Sequence, residues 1–333
     1  MLAFLNDPRK HKPLSRLFCL FLLLLSSSTT IAITLTPKDS VRIPLLDWSS
    51  QRVISIAIGN ELTRNNYNIE YLSMSEEYLW GSLARGKVHF QIEIWQASAN
   101  NEFQDMVNKK RIQDVGLHSA VTIEDWWYSD YVEALCPGLP DWRALNKCAP
   151  LFSDNQSTKG NYLTGPWPYR DGDLIRSLSL DFKIKRHPNM EMIWKELAQA
   201  KADNKPIVLL NWTPNWTDGR LSGKFVKFPA YAPECETDPS WGTNPDLAFD
   251  CANVPNGWIK KAAWAGLKAK FPCVYQYILN IDLSNEMIAE ASALVDYDQY
   301  SEQIAAIKWQ KKYQQKIKLW ADDSCIDTAK KPH

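Results

Sequence analysis

The sequence predicts an α/β fold in which strands end at tryptophan residues. Three short apolar runs, each bounded by turn residues, are typical of parallel strands that are covered on both faces. Each run leads into a tryptophan, namely Trp48, Trp95 or Trp212. Ligands of open α/β sheets bind at the carboxyl ends of the strands, so we expect an aromatic cavity at one edge of the sheet. The three runs span 41–46, 88–94 and 206–210.

Alternation of strands and helices near the start of the chain indicates a parallel sheet. The expected order is βαβαβ, which requires crossover helices between parallel strands. Capping residues in Asp47–Ser50 favour a helix start, and Gly86 favours a helix end. The expected elements are a strand at 41–46, a helix at 50–64, a strand at 68–72, a helix at 76–84 and a strand at 88–94.

The rest of the chain continues as a mixture of helices and extended segments. Helical spacing of apolar residues predicts the helices, and clusters of Pro and Gly predict the loops. Helices are expected at 102–110, 190–204, 260–270, 285–294 and 303–320, extended segments at 116–122 and 225–229, short helices and loops at 135–172, and a long loop at 230–257.

Residues 1–32 are predicted to be a cleaved signal peptide. A basic segment that ends at Arg16 precedes the apolar run 17–25, which is too short to span a bilayer, and Thr30-Ile31-Ala32 is a suitable cleavage site. The alternative is an uncleaved membrane anchor. Export places the mature protein in the periplasm.

The composition is that of a globular protein large enough for two lobes. The chain has 333 residues, of which 45% are hydrophobic, 23% are charged and 15 are Trp. Removal of residues 1–32 takes away four basic residues and one acidic residue, which leaves 34 Lys and Arg against 37 Asp and Glu, a net charge near −3. This charge gives no electrostatic basis for binding nucleic acid.

Six cysteines remain after the signal peptide, and an even number in an exported protein indicates disulfides. Six cysteines allow 15 connectivities. The most economical arrangement joins neighbours along the chain: Cys136 with Cys148, Cys235 with Cys251, and Cys273 with Cys325.

Motifs of common enzymes are missing from the sequence. It contains no GxSxG, HExxH, Walker or GxGxxG pattern, and no Cys/His zinc spacing. Asp171-Gly172-Asp173 is interpreted as a turn rather than a calcium site. We therefore expect a protein without catalytic residues, metal or cofactor.

Three tryptophan-containing segments resemble the ligand segments of a known family. They are 92–95 (IEIW), 159–167 (KGNYLTGPW) and 211–216 (NWTPNW). In this order and spacing they are similar to those of glycine-betaine-type substrate-binding proteins, the extracytoplasmic receptors of ABC importers for quaternary amines. Further similarity at 47–50, 84–88 and 235–257 extends the resemblance over most of 40–320.

The resemblance implies a two-lobed periplasmic-binding-protein clamshell, type II-like, in which each lobe is a mainly parallel sheet flanked by helices. The βαβαβ start, and a C-terminal part that must return after the Trp212 strand, predict that one lobe contains 33–125 and 229–333 and the other 126–228. The resemblance also implies a receptor that delivers its ligand to an ABC transporter permease, and we expect it to be a monomer.

The resemblance also implies which residues bind the ligand. Trp95, Trp167 and Trp212 would form an aromatic cage, and Trp48 matches a fourth aromatic residue of the choline-binding branch. For each of them, packing in the core is the alternative. A quaternary ammonium has no N–H to donate, so aromatic faces are suited to hold it. The expected ligand-binding residues are Trp48, Trp95, Trp167, Trp212, Tyr169 and Glu93.

The sequence departs from the family at three positions. Ala99 stands where some betaine binders have His, Pro168 lacks an N–H that others use, and Ser50 replaces an acid of the choline branch. Glu93, Glu124 and Asp125 are candidates to point into the site, where a carboxylate would help to hold an amine oxide or a choline hydroxyl, but surface exposure is favoured for Glu124 and Asp125. We expect a glycine betaine-like ligand, with trimethylamine N-oxide or choline as the alternative, and a secreted carbohydrate-active enzyme as the rival function.

Overall fold

The structure, a computed structural model, describes residues 39–154 and 157–321. The expected signal peptide at 1–32 and Cys325 lie outside this part of the chain. Within the described ranges, no helix has both the length and the apolar character needed to cross a membrane.

Strands and helices alternate through the first half of the described chain. The strands are β1 (Ser40–Leu45), β2 (Asn68–Ser73), β3 (Phe90–Trp95), β4 (Ile112–Ser129), β5 (Pro137–Pro140), β6 (Gly160–Thr164), β7 (Phe182–Arg186), β8 (Val208–Thr213), β9 (Gly223–Phe225) and β10 (Gly257–Trp264). The βαβαβ order predicted for the N-terminal part is confirmed.

The longer helices flank the sheets. They are α1 (Ser49–Arg64), α2 (Glu76–Ala84), α3 (Gln96–Asn108), α7 (Met190–Ala202), α11 (Pro272–Asn280), α12 (Asn285–Asp296) and α13 (Glu302–Lys318). The shorter ones are α4 (Val132–Leu135), α5 (Arg143–Cys148), α6 (Asp171–Ser177), α8 (Thr217–Arg220), α9 (Glu234–Thr237) and α10 (Leu267–Lys270), and Ala149–Phe152 forms a 3₁₀ turn.

Side-chain caps start three of the long helices. Asn189, Ser284 and Ser301 each precede a helix, and the side-chain oxygen of each accepts a hydrogen bond from a backbone N–H of the first turn. These bonds satisfy N–H groups that have no partner within the helix, which explains where α7, α12 and α13 begin.

Nine of the ten described strands form a two-stranded sheet, β1–β2, and a seven-stranded sheet with the order β3–β10–β4–β8–β6–β7, in which β9 pairs with β4. The pairs β1–β2, β6–β7 and β6–β8 are parallel. Each antiparallel pair involves β4 or β10. Strand β4 pairs with β10 along 112–122 and with β8 along 123–127, so it runs through both halves of the large sheet.

An aromatic cluster fills the core beside β6 and β8. The rings of Trp126 and Tyr162 stack with 3.9 Å between centroids, and Phe182 and Phe228 meet Trp126 edge-on. Trp126 and Tyr162 are fully buried. Such edge-on and stacked pairs hold neighbouring strands in fixed relative positions.

The prediction of a helix at 260–270 was wrong. Strand β10 occupies 257–264, and only the single turn α10 follows it. Lys and Ala are good helix formers, but tertiary pairing on both sides, with β3 and β4, overrides this local preference. The prediction that 135–172 holds only short helices and loops was also wrong, because it contains β6, which lies between β7 and β8.

Two disulfides expected from the sequence are present. Cys136 is bonded to Cys148 with 5.6 Å between Cα atoms, and Cys235 to Cys251 with 6.4 Å. The third expected pair includes Cys325, which lies outside the described residues.

Candidate functional site

A small pocket lies at the carboxyl ends of several strands, and the empty space within it, open solvent included, is about 300 Å³. Aromatic side chains form most of its wall, and carboxyl and hydroxyl groups form the rest. The lining residues are Trp48, Glu76, Trp95, Ser98, Glu124, Trp167, Tyr169 and Trp212.

All four lining tryptophans lie at or just after a strand end. Trp48 separates β1 from α1, and Trp95 is the last residue of β3. Trp167 follows β6 by three residues, and Trp212 is the second-last residue of β8. The structure thus brings together the three strand-end tryptophans predicted from the sequence and the fourth that the family resemblance implied.

Within the cage formed by the four lining tryptophans, Trp212 stands at a steep angle to two of its neighbours. Trp212 meets Trp95 at 70° with 6.3 Å between centroids, and Trp167 at 80° with 5.7 Å. Each lining tryptophan is at most 8% exposed. Rings at these angles present faces and edges to a rounded group from several sides, whereas parallel rings would suit a flat one.

A buried polar network fixes the turn that follows Trp212. The side chain of Asn215 donates to the side-chain oxygen of Asn211, and that of Asn211 donates to the hydroxyl of Thr217, each over 2.9 Å. Both asparagines are at most 1% exposed. Because buried amides are stable only when hydrogen-bonded, this network holds β8 and the start of α8 in one arrangement.

The ring of Trp167 is held against a glycine. A Cβ at Gly165 would lie 2.2 Å from Cζ3 of Trp167, so the ring occupies space that only glycine leaves free. Arg186 donates to the backbone oxygens of Gly165 and Trp167 over 2.9 and 3.2 Å. The loop is therefore fastened on both sides of the ring.

Glu93 lies behind the cage and does not line it. Its Oε2 accepts hydrogen bonds from the indole nitrogens of Trp48 (2.8 Å) and Trp95 (3.4 Å) and from the hydroxyl of Ser50 (2.9 Å). The side chain is 1% exposed. The structure thus brings Glu93 to the predicted site, but as a support for two cage walls.

The polar end of the pocket is built around Glu124. Its Oε2 accepts a hydrogen bond from the hydroxyl of Tyr169 (2.6 Å), and its Oε1 accepts one from the backbone N–H of Ala97 (3.0 Å), in the first turn of α3. A helix N-terminus stabilises a carboxylate. The prediction that Glu124 and Asp125 are exposed was wrong, since they are 2% and 4% exposed.

Asp125 is buried for a structural reason. Its Oδ1 accepts from the backbone N–H of Trp126, and its Oδ2 accepts from that of Asn253. The two carboxylates alternate along β4, so they point to opposite faces of the strand. Asp125 does not line the pocket, whereas Glu124 does.

Two further residues that were not predicted from the sequence, Glu76 and Ser98, also line the pocket. Glu76 is the first residue of α2, where an acidic residue is common because it interacts with the helix dipole. Ser98 lies in the first turn of α3. Nothing in the local sequence separates these residues from ordinary helix starts, so only the fold could identify them.

Burial raises the pKa of the carboxyl groups in and behind the pocket. The pKa values of Glu76, Glu93 and Glu124 rise from the usual 4.5 to about 7, chiefly because burial disfavours the charged form. Repulsion from Glu124 adds to the effect on Glu76, and the hydrogen bond from Tyr169 opposes it on Glu124. The lining residues include no Lys, Arg or His.

No group of three or more His, Cys, Asp or Glu side chains in the described chain is arranged to hold a metal ion. The pocket lining offers two kinds of contact. Tryptophan faces can surround methyl groups on a cation, and carboxyl and hydroxyl groups can meet whatever the cation carries.

The chain is similar to a family of substrate-binding domains and to a protein that binds trimethylamine N-oxide. Residues 39–312 match the substrate binding domain of ABC-type glycine betaine transport systems (OpuAC). The trimethylamine N-oxide-binding protein of Pelagibacter ubique (strain HTCC1062) is 32% identical over 283 residues, which cover 82% of this chain and 87% of that protein.

Solved structures with the same fold include two binding proteins with ligands. One is an ABC-transporter choline binding protein in complex with choline, with 16% identity and a TM-score of 0.66, covering 88% of this chain and 99% of that one. The other is lactococcal OpuAC in its closed-liganded conformation with glycine betaine, with 15% identity and a TM-score of 0.63, covering 85% and 100%. These similarities establish the two-lobed α/β fold.

Proposed function

The chain belongs to the family of substrate binding domains of ABC-type glycine betaine transport systems, and from this premise we propose that its tryptophan-lined pocket binds one small methylated ammonium compound. Within this family the chain is the substrate-binding protein of a glycine betaine/choline-type ABC transporter. The ligand and the residues that hold it are our proposal.

One observation carries the proposal, namely that four buried tryptophans line a single small pocket with no basic side chain among the lining residues. Each aromatic face contributes about 0.5–2 kcal/mol to binding a desolvated cation. Three or four such faces, with burial of the methyl groups, are enough for micromolar affinity, about −8 kcal/mol. Because strand ends and buried hydrogen bonds fix the rings, little ordering is required on binding.

The polar end of the pocket bears on which methylated amine binds. Glu76 and Glu124 are both acidic, so the carboxylate of glycine betaine would be accommodated only with these groups protonated. The oxygen of trimethylamine N-oxide can accept a hydrogen bond from a protonated carboxyl group, and the hydroxyl of choline can donate one to an ionised group. The first candidate remains a glycine betaine-like ligand. The acidic groups at this end of the pocket are the reason to keep trimethylamine N-oxide or choline as the second candidate.

We further propose that two lobes close around the ligand. One would contain 33–125 and 229–333, and the other 126–228. The course of β4 supports this division, because the strand passes the proposed boundary while pairing with both halves of the large sheet. The pocket walls support it as well, since Trp48, Trp95 and Glu124 belong to the first part, and Trp167, Trp212 and Tyr169 to the second.

Closure would convert ligand binding into a signal for the transporter. A ligand that contacts both lobes shifts the protein toward the closed state, because it binds that state more strongly. We propose that an ABC permease recognises the closed form at the outer face of the membrane, and that the protein acts there as a monomeric periplasmic receptor. Family members are solute receptors, and we propose no reaction at this site.

A calorimetric screen of the mature protein tests the proposal. The compounds are glycine betaine, trimethylamine N-oxide, choline, carnitine and a neutral oligosaccharide. We expect one of the methylated amines to bind with a Kd of about micromolar. Binding of the oligosaccharide alone would overturn the proposal and favour the carbohydrate-active alternative, in which tryptophans stack on sugar rings.

A further inference from the structure

Glu93 is a buried carboxyl group that touches the cage only from behind. Its residue is 1% exposed, yet it is absent from the pocket lining. It sits in β3 two residues before Trp95, and the residues on both of its sides along the strand are buried. Burial of a carboxyl group costs stability unless its oxygens are hydrogen-bonded.

One oxygen of Glu93 accepts hydrogen bonds from two tryptophans of the cage. Oε2 accepts from the indole nitrogens of Trp48 and Trp95 and from the hydroxyl of Ser50. Trp48 and Trp95 belong to different strand ends, so this oxygen fixes their ring edges relative to each other. Both indole N–H groups point to the carboxylate, and their ring faces are left for the pocket.

The other oxygen of Glu93 is unsatisfied. Oε1 is buried and meets no hydrogen-bond donor among the described residues. The three donors to Oε2 are neutral, and Glu93 forms no ion pair within the part of the chain that the structure describes. When ionised, Glu93 therefore carries a negative charge that its own surroundings do not balance.

We propose that Glu93 is a positioning residue whose negative charge, held against the edges of Trp48 and Trp95, strengthens the attraction of the cage for a positively charged head group. The inference rests on the proposed function. Two physical effects support it. When an indole N–H donates to a carboxylate, electron density shifts into the indole ring. The more negative ring face then attracts a cation more strongly. The charge also attracts a cation through a dry medium in which Coulomb forces are weakly screened.

The ionisation of Glu93 makes this effect dependent on pH. Burial raises its pKa to about 7, so the charge develops as the pH passes through neutrality. Glu76 and Glu124 titrate in the same range and line the pocket, and Asp47 adds to the repulsion on Glu76. The contribution of Glu93 is therefore the difference between the pH dependence of Kd in wild type and that in a variant without the Glu93 carboxyl group.

The test compares Glu93→Gln with Glu93→Asp, using tetramethylammonium as the probe. This ion is charged at every pH and has no polar tail to reach Glu124. Gln keeps the shape and an oxygen for the two indoles but removes the charge, whereas Asp keeps the charge and withdraws the oxygen from the indoles. Tryptophan fluorescence titrations at pH 6 and pH 8 would give the Kd of each protein.

We expect Glu93→Gln to weaken binding at pH 8 about tenfold and to reduce the gain in affinity between pH 6 and pH 8, since one buried charge beside the cation is lost. Glu93→Asp should weaken binding less and keep the pH dependence. The reverse order, with Asp weaker than Gln and equal pH profiles for Gln and wild type, would overturn the proposal in favour of a role in shape alone.

Asp171 provides a matched control. It is a buried carboxyl group, 5% exposed, that accepts a hydrogen bond from the indole of Trp126 over 2.9 Å and does not line the cage. Asp171→Asn should leave the Kd of tetramethylammonium within about twofold of wild type. An equal loss in this variant would show that removal of any buried charge impairs binding, and would overturn the specific role of Glu93.

Ser50→Ala keeps the proposal testable if Glu93→Gln does not fold. It removes one donor to the same oxygen, so ionisation of Glu93 becomes harder and the gain in affinity should move to higher pH. An unshifted profile would overturn the proposal. Failure of the proposed function is a different result, in which wild type binds neither tetramethylammonium nor any methylated amine of the screen.

Discussion

The hydroxyl of Tyr169 donates a 2.6 Å hydrogen bond to Oε2 of Glu124, and the bond joins residues from the two proposed lobes at the polar end of the pocket. Tyr169 lies in the loop after β6, and Glu124 lies in the long strand β4. The second oxygen of Glu124 is held by the first turn of α3. If the two proposed lobes close on the ligand, a short bond to a carboxylate between them is suited to slow the release of that ligand.

Tyr169→Phe should therefore speed ligand release. Loss of one hydrogen bond to a charged group costs about 1.5–3 kcal/mol, equivalent to a dissociation rate about tenfold to a hundredfold higher. Stopped-flow tryptophan fluorescence measures this rate. Tyr131→Phe is the control, because that hydroxyl donates to the backbone oxygen of Lys205, away from the pocket. A dissociation rate equal to that of wild type would contradict the claim that the hydrogen bond from Tyr169 to Glu124 slows ligand release.

Gly165→Ala should impair the cage through its neighbour. The added Cβ would lie 2.2 Å from the ring of Trp167, so the ring must leave its present position. We expect affinity to fall at least about tenfold, because one of the aromatic faces is displaced. Gly219→Ala is matched to it, since a Cβ there meets nothing within 4 Å. Calorimetry that gives the same Kd for both variants would contradict the placement of Trp167 in the site.

The ligand-free protein should lose stability as the pH rises from 6.5 to 7.5. The pKa values of Glu76, Glu93 and Glu124 are raised to about 7 in the folded state, so their contribution to stability is present in full below their usual value of 4.5 and is lost as the pH rises through 7. His89 and His118, whose pKa values are lowered to about 4 and 3, have the opposite effect below pH 6.5.

Urea unfolding at several pH values measures this trend, and Glu124→Gln should flatten it because one titrating group is lost. A bound cation favours the ionised carboxyl groups, so its affinity should rise over the same interval. Unfolding free energies that increase from pH 6.5 to 7.5 in the ligand-free protein would contradict the raised pKa values.

Small-angle X-ray scattering tests the proposed movement of the lobes. If 126–228 rotates toward the remainder on binding, the radius of gyration should decrease at saturating ligand. The variant Trp212→Ala, measured with the same ligand concentration, should keep the larger value. Identical curves for wild type with and without ligand would argue against closure.

Sequence alone located much of the site because strand ends carry a local signature. Trp95 and Trp212 follow apolar runs, and their place at the sheet edge follows from the rule for open α/β sheets. Trp167 has no such signature, and only the family resemblance identified it. Glu76 was not predicted, and Glu124 was wrongly expected at the surface, because the burial of both depends on segments distant in the sequence. Strand β10 was mistaken for a helix because its pairing partners, too, lie far along the chain.

The most direct measurement is calorimetry of Trp212→Ala with the best ligand of the screen. Trp212 contacts both Trp95 and Trp167, whereas Trp216 packs on Trp194 and Tyr297 outside the pocket lining. We expect Trp212→Ala to lose about 1.5–3 kcal/mol of binding free energy, about tenfold to a hundredfold in Kd, and Trp212→Phe to lose less. Trp216→Ala should lower the melting temperature more than the affinity. Wild-type affinity in Trp212→Ala, with a clear loss in Trp216→Ala, would contradict the cage.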